Sequence, residues 1–268
     1  MNALDSPLYL YCFALSERLT TLAPPLLAVR VRSVAAVARE VLLADFSGPE
    51  AEEKARDLAW IGPRALEHNR VVEEVWAQSP VFPVPFGALY SSEAALVRFA
   101  TVHEGAIRAF LHRVHRAAEW AAKVFLDRER ALAHLLFRRG TADETASLSP
   151  GARYLRERKA AQAGDGELRR WLEASANEIE RSLAEHAPEF RQRRPLETQD
   201  QPGLRMIFNW AWLVEKERAG DFAAAAERLH RAYEGRGLAL QLSGPLPPYS
   251  FVPPLGEVEA PEGNGGTR

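Results

Sequence analysis

The sequence predicts an α+β protein in two domains, and three observations carry that reading. From Glu119 onward the elements fall in the order β-α-β-β-α-β. The best of the strands there is apolar on one side, through Leu204, Met206, Phe208, Trp210, Trp212 and Val214, which suits a sheet with helices on one face. The last strand runs into Gly244-Pro245-Leu246-Pro247-Pro248-Tyr249-Ser250-Phe251. Three prolines in four positions fix φ and remove backbone donors, so this segment leaves the sheet as a stiff strap with two aromatic anchors.

Leu8 to Ala14 reads as a strand, rich in aromatics and bounded by Pro7 and by Ser16-Glu17-Arg18. Leu26 to Val31 and Ala36 to Leu43 pair as a hairpin around Arg32-Ser33. Glu50 to Trp60 is expected to be helical. Pro63 suits a first helical position, and Ala65, His68, Val72, Val75 and Trp76 recur every three or four residues, so Arg64 to Gln78 is an amphipathic helix. The run from Pro80 to Gly87 stops it, and its three prolines leave room only for an edge strand or a tight buried crossing. Ser92 caps the next helix, with Leu96, Phe99, Ala106, Phe110 and Val114 along one face.

In the second half, Trp120 to Leu126 is a strand, and Leu126 to Pro150, charged and helical up to Arg139, is a hinge or a rigid spacer. Pro150 to Ala163 and Glu167 to Glu185 form two helices broken by Gly164-Asp165-Gly166, the second with Leu168, Leu172, Ile179 and Leu183 on one stripe. Phe190 to Thr198 and Leu204 to Glu215 pair across Gln199-Asp200-Gln201-Pro202-Gly203, with Pro195 placing the first at an edge. Asp221 caps a helix carrying Phe222, Ala226, Leu229 and Tyr233, Gly235 ends it, and Leu238 to Leu242 is the last strand. The sum is the split βαβ, or ferredoxin-like, order. Residues 1–117 then form an N-terminal α+β domain and 118–253 a ferredoxin-like domain with its strap. The rest, 254–268, is a tail too poor in apolar side chains to order itself.

Composition narrows the function. At 268 residues, 47% hydrophobic and 26% charged, the chain is of the globular class with a sizeable core. A net charge of −2 gives no basic field for a nucleic acid backbone, although Arg138-Arg139 and Arg191 to Arg194 cluster locally. The single cysteine, Cys12, lies in an apolar run and reads as a buried small thiol. With no basic-then-apolar start and no apolar run long enough for a bilayer, the expectation is a cytoplasmic protein without a lipid-membrane role.

The search for catalytic chemistry is negative: there is no phosphate-cradling glycine loop, no dinucleotide fingerprint, no H-E-x-x-H and no G-x-S-x-G. His112 and His115 are three apart on a helix, but no third ligand accompanies them and Arg108, Arg113 and Arg116 surround them, so a solvated face is the expectation. His68 lies on the apolar face of its helix and reads as a hydrogen-bonded core histidine. Glu119 reads as a satisfied buried carboxylate or an edge charge before a catalytic acid. The aromatics Phe208, Trp210 and Trp212 resemble a base-stacking surface, yet no basic residues interleave them and a helix-covered core explains them more simply. No catalytic residue, metal ligand, cofactor or small-molecule substrate is expected.

Several segments together carry a resemblance. His68-Asn69-Arg70-Val71-Val72, Pro83-Val84-Pro85-Phe86-Gly87, Glu119-Trp120-Ala121-Ala122-Lys123-Val124, Gly151-Ala152-Arg153-Tyr154-Leu155, Trp212-Leu213-Val214 and the strap occur in the order found in the GvpL/GvpF family of gas vesicle accessory proteins, which the chain resembles over about residues 8 to 253. It departs from the family pattern at Leu246, where Trp is usual, at Pro85, where a basic residue is common, and at Ala88, where Thr is common. The resemblance implies a non-enzymatic, two-domain protein of gas vesicle assembly, associated with the vesicle. Its implied partners are the small hydrophobic shell protein and other accessory proteins. The motif residues it singles out, in a structural or partner-binding role, are His68, Pro83, Phe86, Gly87, Glu119, Trp120, Lys123, Tyr154, Leu155, Gly244, Pro245, Pro247, Pro248, Tyr249 and Phe251. A free sheet edge in the ferredoxin-like domain, above all Phe190 to Thr198, is the expected place for strand addition by the shell protein. On residues alone, a general cytosolic interaction module unconnected with vesicles and an enzyme on a ferredoxin-like scaffold stay open as alternatives; neighbouring genes for a short apolar shell protein, or a perturbed acid in a cleft, would separate them.

Overall fold

A computed structural model of the chain describes residues 6–42, 54, 56–139, 150–187, 189–195 and 203–256, with backbone alone at 139 and 150–163. The chain forms two compact units, one of Met1–Ala117 together with Leu246–Arg268 and one of Ala118–Pro245.

The first unit is built on β1 (Leu8–Leu15), all of whose side chains are buried. A strand that reads as one unbroken apolar run needs cover on both faces, and two helices supply it. β2 (Leu27–Val31), β3 (Val34–Glu40), β4 (Val81–Pro83) and β5 (Leu89–Tyr90) complete the sheet, in the order β2-β3-β1-β4 with β5 also on β1. Val71, Val72 and Val75 of α1 (Leu58–Trp76) pack with Tyr9, Tyr11 and Val37. α2 (Glu93–Val114) brings Phe99 and Phe110 to Phe13 and Phe82, with ring centroids 5.0 to 6.3 Å apart. Each such buried side chain contributes roughly 1.5–3 kcal/mol, which fixes both helices on the sheet. Ser92 accepts from the Ala95 N–H at 3.3 Å and caps α2 as expected.

The second unit holds β6 (Ala117–Asp127), α3 (Arg128–Arg139), α4 (Pro150–Ala184), β7 (Glu189–Arg193), β8 (Leu204–Glu215), α5 (Ala219–Glu234) and β9 (Leu238–Leu246), with strand order β7-β8-β6-β9. β7 and β8 are antiparallel, from Glu189 opposite Leu213 to Arg193 opposite Asn209. The alternating aromatics of β8 do face the core: Trp210 and Trp212 cluster with Val124, Ile179, Leu183 and Phe222. That position removes them from base stacking.

Several expectations need correction. α1 begins at Leu58, not near Pro63, because Asp57 accepts from the Ala59 N–H at 2.9 Å and starts the helix a turn and a half earlier. Pro63 sits inside the helix, and Arg64 covers the turn by donating to the Trp60 carbonyl at 3.0 Å and lying over the Trp60 ring. Ala106 is exposed; Ala100, Ile107 and Leu111 take the buried stripe of α2. Gly164-Asp165-Gly166 does not break the chain into two helices, since α4 runs unbroken for 35 residues. Two mid-helix glycines cost roughly 2 kcal/mol, less than Leu168, Ile179 and Leu183 gain by burial, and Asp165 pairs with Arg128. α5 starts at Ala219 from a 3₁₀ turn at Lys216–Arg218, so Asp221 lies in its first turn and does not cap it. The helix expected from Glu50 lies largely outside the described residues, as do the turn at 199–202 and the tail beyond 256.

By sequence the strap closes the 118–253 domain, and Tyr249 and Phe251 are expected to fold back as an intramolecular clasp, with the N-terminal domain as one candidate surface. The strap groups with the first unit, where Phe251 is buried, the Tyr249 hydroxyl donates to Asn69 Oδ1 at 3.0 Å and Arg113 donates to the Phe251 carbonyl at 3.0 Å.

Candidate functional site

In the first unit, the motif residues His68, Phe86 and Gly87 meet around Tyr9. The Gly87 N–H donates to the Tyr9 hydroxyl at 3.2 Å, and Tyr9 Oη lies 2.8 Å from His68 Nδ1. Tyr9, Tyr11, His68 and Phe86 form one aromatic cluster with centroids 4.9 to 6.0 Å apart. Burial lowers the His68 pKa, opposed by the backbone of Val84. Gly87 has φ +91, a conformation in which a side chain would be strained, and this turn aims Phe86 at the cluster. His68 is thus a core histidine. It ties α1 to β1 and to the proline-rich crossing after β4.

Beside that crossing lies an apolar groove of about 550 Å³, lined by Phe82, Pro83, Pro85, Tyr90 and Phe99 on one side and by Tyr249 and Val252 to Leu255 on the other. The prolines shape it, since β4 is only three residues long and cannot continue along β1. Burial pushes the Tyr90 pKa up to about 12 and raises that of Tyr249, so both walls stay uncharged. Pro247 and Pro248 are buried and set the path of the strap into the groove wall. Pro254 and Leu255, expected to belong to a loose tail, line it as well.

In the second unit, Trp120 and Gly244 meet face to face. Gly244 has φ +153, and a Cβ there would lie 2.7 Å from Trp120 Cδ2. Pro245 follows through a cis peptide bond. The neighbouring Glu119, 1% exposed, pairs with Arg193 at the end of β7. Asn209 of β8, opposite Arg193, donates to the Arg194 carbonyl at 3.2 Å. Glu119 is therefore a paired structural carboxylate. Lys123 is half-buried on β6, and Tyr154 and Leu155 belong to the first turns of α4.

Among the described residues no group of three or more His, Cys, Asp or Glu side chains could hold a metal ion, and no helix is long and apolar enough to cross a membrane. His115 Nδ1 lies 2.7 Å from the His112 carbonyl. Cys12 is buried, which raises its pKa and keeps it a thiol.

The sequence profile of the family described as Gas vesicle synthesis protein GvpL/GvpF matches residues 7–253. The chain belongs to the GvpL/GvpF family. Gas vesicle protein F of Streptomyces sp. (strain CB03234) is 29% identical over 246 residues, covering 89% of this chain and 94% of that protein. Gas vesicle protein L of the same strain is 27% identical over 240 residues, covering 85% and 83%. Crystal structures of GvpF from Anabaena sp. PCC7120 and Microcystis aeruginosa share the α+β fold. Their TM-scores are 0.69 and 0.63 at 17% identity, over 94% and 92% of this chain and 100% and 99% of theirs.

Within this GvpL/GvpF chain, some of the motif residues meet, His68, Phe86 and Gly87 around Tyr9 and Trp120 against Gly244. Sequence reasoning missed the partners Tyr9, Asn69, Tyr90, Phe99 and Val252. Asn69 stood inside the quoted helix motif, but no local pattern linked it to a tyrosine 180 residues away.

Proposed function

We propose that this chain assists gas vesicle assembly by holding the hydrophobic shell protein before it joins the vesicle, in the cytoplasm and at the vesicle surface, together with other accessory proteins. The observation that carries this reading is the apolar groove between the crossing at Pro83 and Pro85 and the strap at Tyr249 to Leu255. An apolar subunit awaiting assembly needs part of its surface covered, and a groove of this size takes a few large side chains. Two leucine-sized groups would gain roughly 3–6 kcal/mol, largely offset by the cost of association, so the hold is weak and releasable, as a hand-over step requires.

The free edge β7 supports the reading less well than the groove. It is five residues long, exposes Arg191 and Gln192, is followed by Pro195 and commits Arg193 to Glu119, all features that blunt an edge. The strand order β7-β8-β6-β9 favours a ferredoxin-like domain for the second unit, enlarged by α3. In this reading Pro83, Pro247, Pro248, Tyr249 and Phe251 shape the groove, while His68, Phe86, Gly87, Glu119, Trp120 and Gly244 hold the units in form.

Val252→Glu and Leu255→Glu place a charge at the half-exposed groove wall with little cost to folding. Both are expected to lose co-purification with the shell protein and to reduce floating vesicles, at unchanged unfolding midpoints. Full co-purification with both variants would overturn the groove reading.

A further inference from the structure

The hydrogen-bonding state of the groove walls restricts the form of segment that can lie in the groove. Resting on the reading that this groove receives the client, we propose that it takes the apolar face of an α-helix and does not take an extended strand.

The crossing wall has acceptors but no backbone donors. β4 is an edge strand of its sheet, and Phe82 to Pro85 line the groove. The Val84 N–H donates to the Tyr11 carbonyl at 3.2 Å. In the same register Phe82 stands opposite Phe13 and Pro83 opposite Cys12, so the Phe82 N–H also faces β1 while the backbone of Pro83 faces away from it. Pro83 and Pro85 carry no N–H at all. What this wall turns outward is therefore carbonyl oxygen.

The strap wall supplies little more. The Tyr249 and Phe251 N–H groups donate within the strap, to the Pro247 and Pro248 carbonyls at 2.8 and 3.2 Å. Pro253 and Pro254 have no N–H, which leaves those of Val252 and Leu255. Side chains do not make good the shortage. No charged residue lines the groove, and of its two tyrosines Tyr249 already donates to Asn69.

These walls treat the two forms of a client segment differently. A strand added to an edge exchanges N–H and C=O bonds with its neighbour along its length, and one buried here would leave its own carbonyls without donors. An α-helix satisfies its interior backbone groups within itself, so it requires from the walls only apolar contact. Leu10, Phe82, Tyr90 and Phe99 provide that contact, and a groove of about 550 Å³ admits side chains presented from one helix face at i, i+3 or i+4, and i+7.

Fluorescence anisotropy with the full chain and labelled peptides of about 18 residues tests this. The first peptide carries leucines at i, i+3, i+4 and i+7 on an alanine, lysine and glutamate background. The second has the same composition with its leucines at alternate positions, and the third is the first with a central proline. The first is expected to bind at least tenfold more tightly than either of the others, and Val252→Glu is expected to weaken its binding at least tenfold. The inference is overturned if the second or the third peptide binds as tightly as the first, or if the first binds no more tightly to the wild type than to Val252→Glu. None of these results judges the groove as the client's site, which stands or falls on co-purification of the shell protein with Val252→Glu and Leu255→Glu.

Discussion

Gly244→Ala tests the junction between the last strand and the strap. The new Cβ would lie 2.7 Å from Trp120 Cδ2 and 2.9 Å from its Cε3, and no real side chain tolerates such an approach. The indole is part of the packed core and leans on Phe222 at 6.2 Å, so it cannot swing away as an exposed side chain would. Overpacking of this kind costs about 1–3 kcal/mol, and holding alanine near φ +153 adds about 1–3 kcal/mol. The lower chain entropy of the unfolded alanine variant returns about 0.4–1 kcal/mol. The expected loss is therefore about 2–4 kcal/mol, a fall of roughly 1–2 M in the urea midpoint. Tryptophan fluorescence suits the measurement, since Trp120, Trp171, Trp210 and Trp212 all lie in the second unit. Gly235→Ala, at a helix end with φ −67 and open space around it, is the control and should change stability little. A loss below about 1 kcal/mol for Gly244→Ala, or an equal loss in the control, would refute the close-approach reasoning.

Tyr9→Phe removes the partner of both the Gly87 N–H and His68 Nδ1, and a loss of about 1–3 kcal/mol is expected by denaturant unfolding. Because burial lowers the His68 pKa, the unfolded chain binds the extra proton; its stabilising contribution is whole above about pH 6.5 and is lost as pH falls from there toward the lower folded value. Unfolding midpoints measured from pH 7.5 to 5 should fall less steeply in His68→Phe than in the wild type, and identical slopes would exclude this role. Arg193→Ala strips the buried Glu119 carboxylate of this partner and should cost about 2–4 kcal/mol, the side chain of Arg193 being 31% exposed. Adding Glu119→Gln should recover more than half of that loss; no recovery would mean that the pair does not couple.

Local pattern carried the reading wherever an element is specified by its own residues. Leu8 to Ala14, the hairpin at Arg32-Ser33 and the alternation of β8 were legible because period and turn chemistry act over a few positions. The start of α1 was misread because two local signals compete, and the Asp57 cap prevails over Pro63. α4 was misread for the opposite reason, since the glycines act locally while the burial that outweighs them is tertiary. Of the candidate site, the crossing and the strap stood out as proline-rich segments, but the sequence holds nothing to say that they face one another across a groove.

The return of the strap to the first unit has a consequence for how the molecule is made. Residues 118–245 are contiguous and can close while the chain is still being synthesised, but the groove needs Tyr249 and Val252 to Leu255, which emerge well over a hundred residues after Phe82 and Phe99. A nascent or prematurely ended chain has the crossing without its facing wall. Under the proposed role, a chain can receive an apolar client only once Val252 to Leu255 have been made.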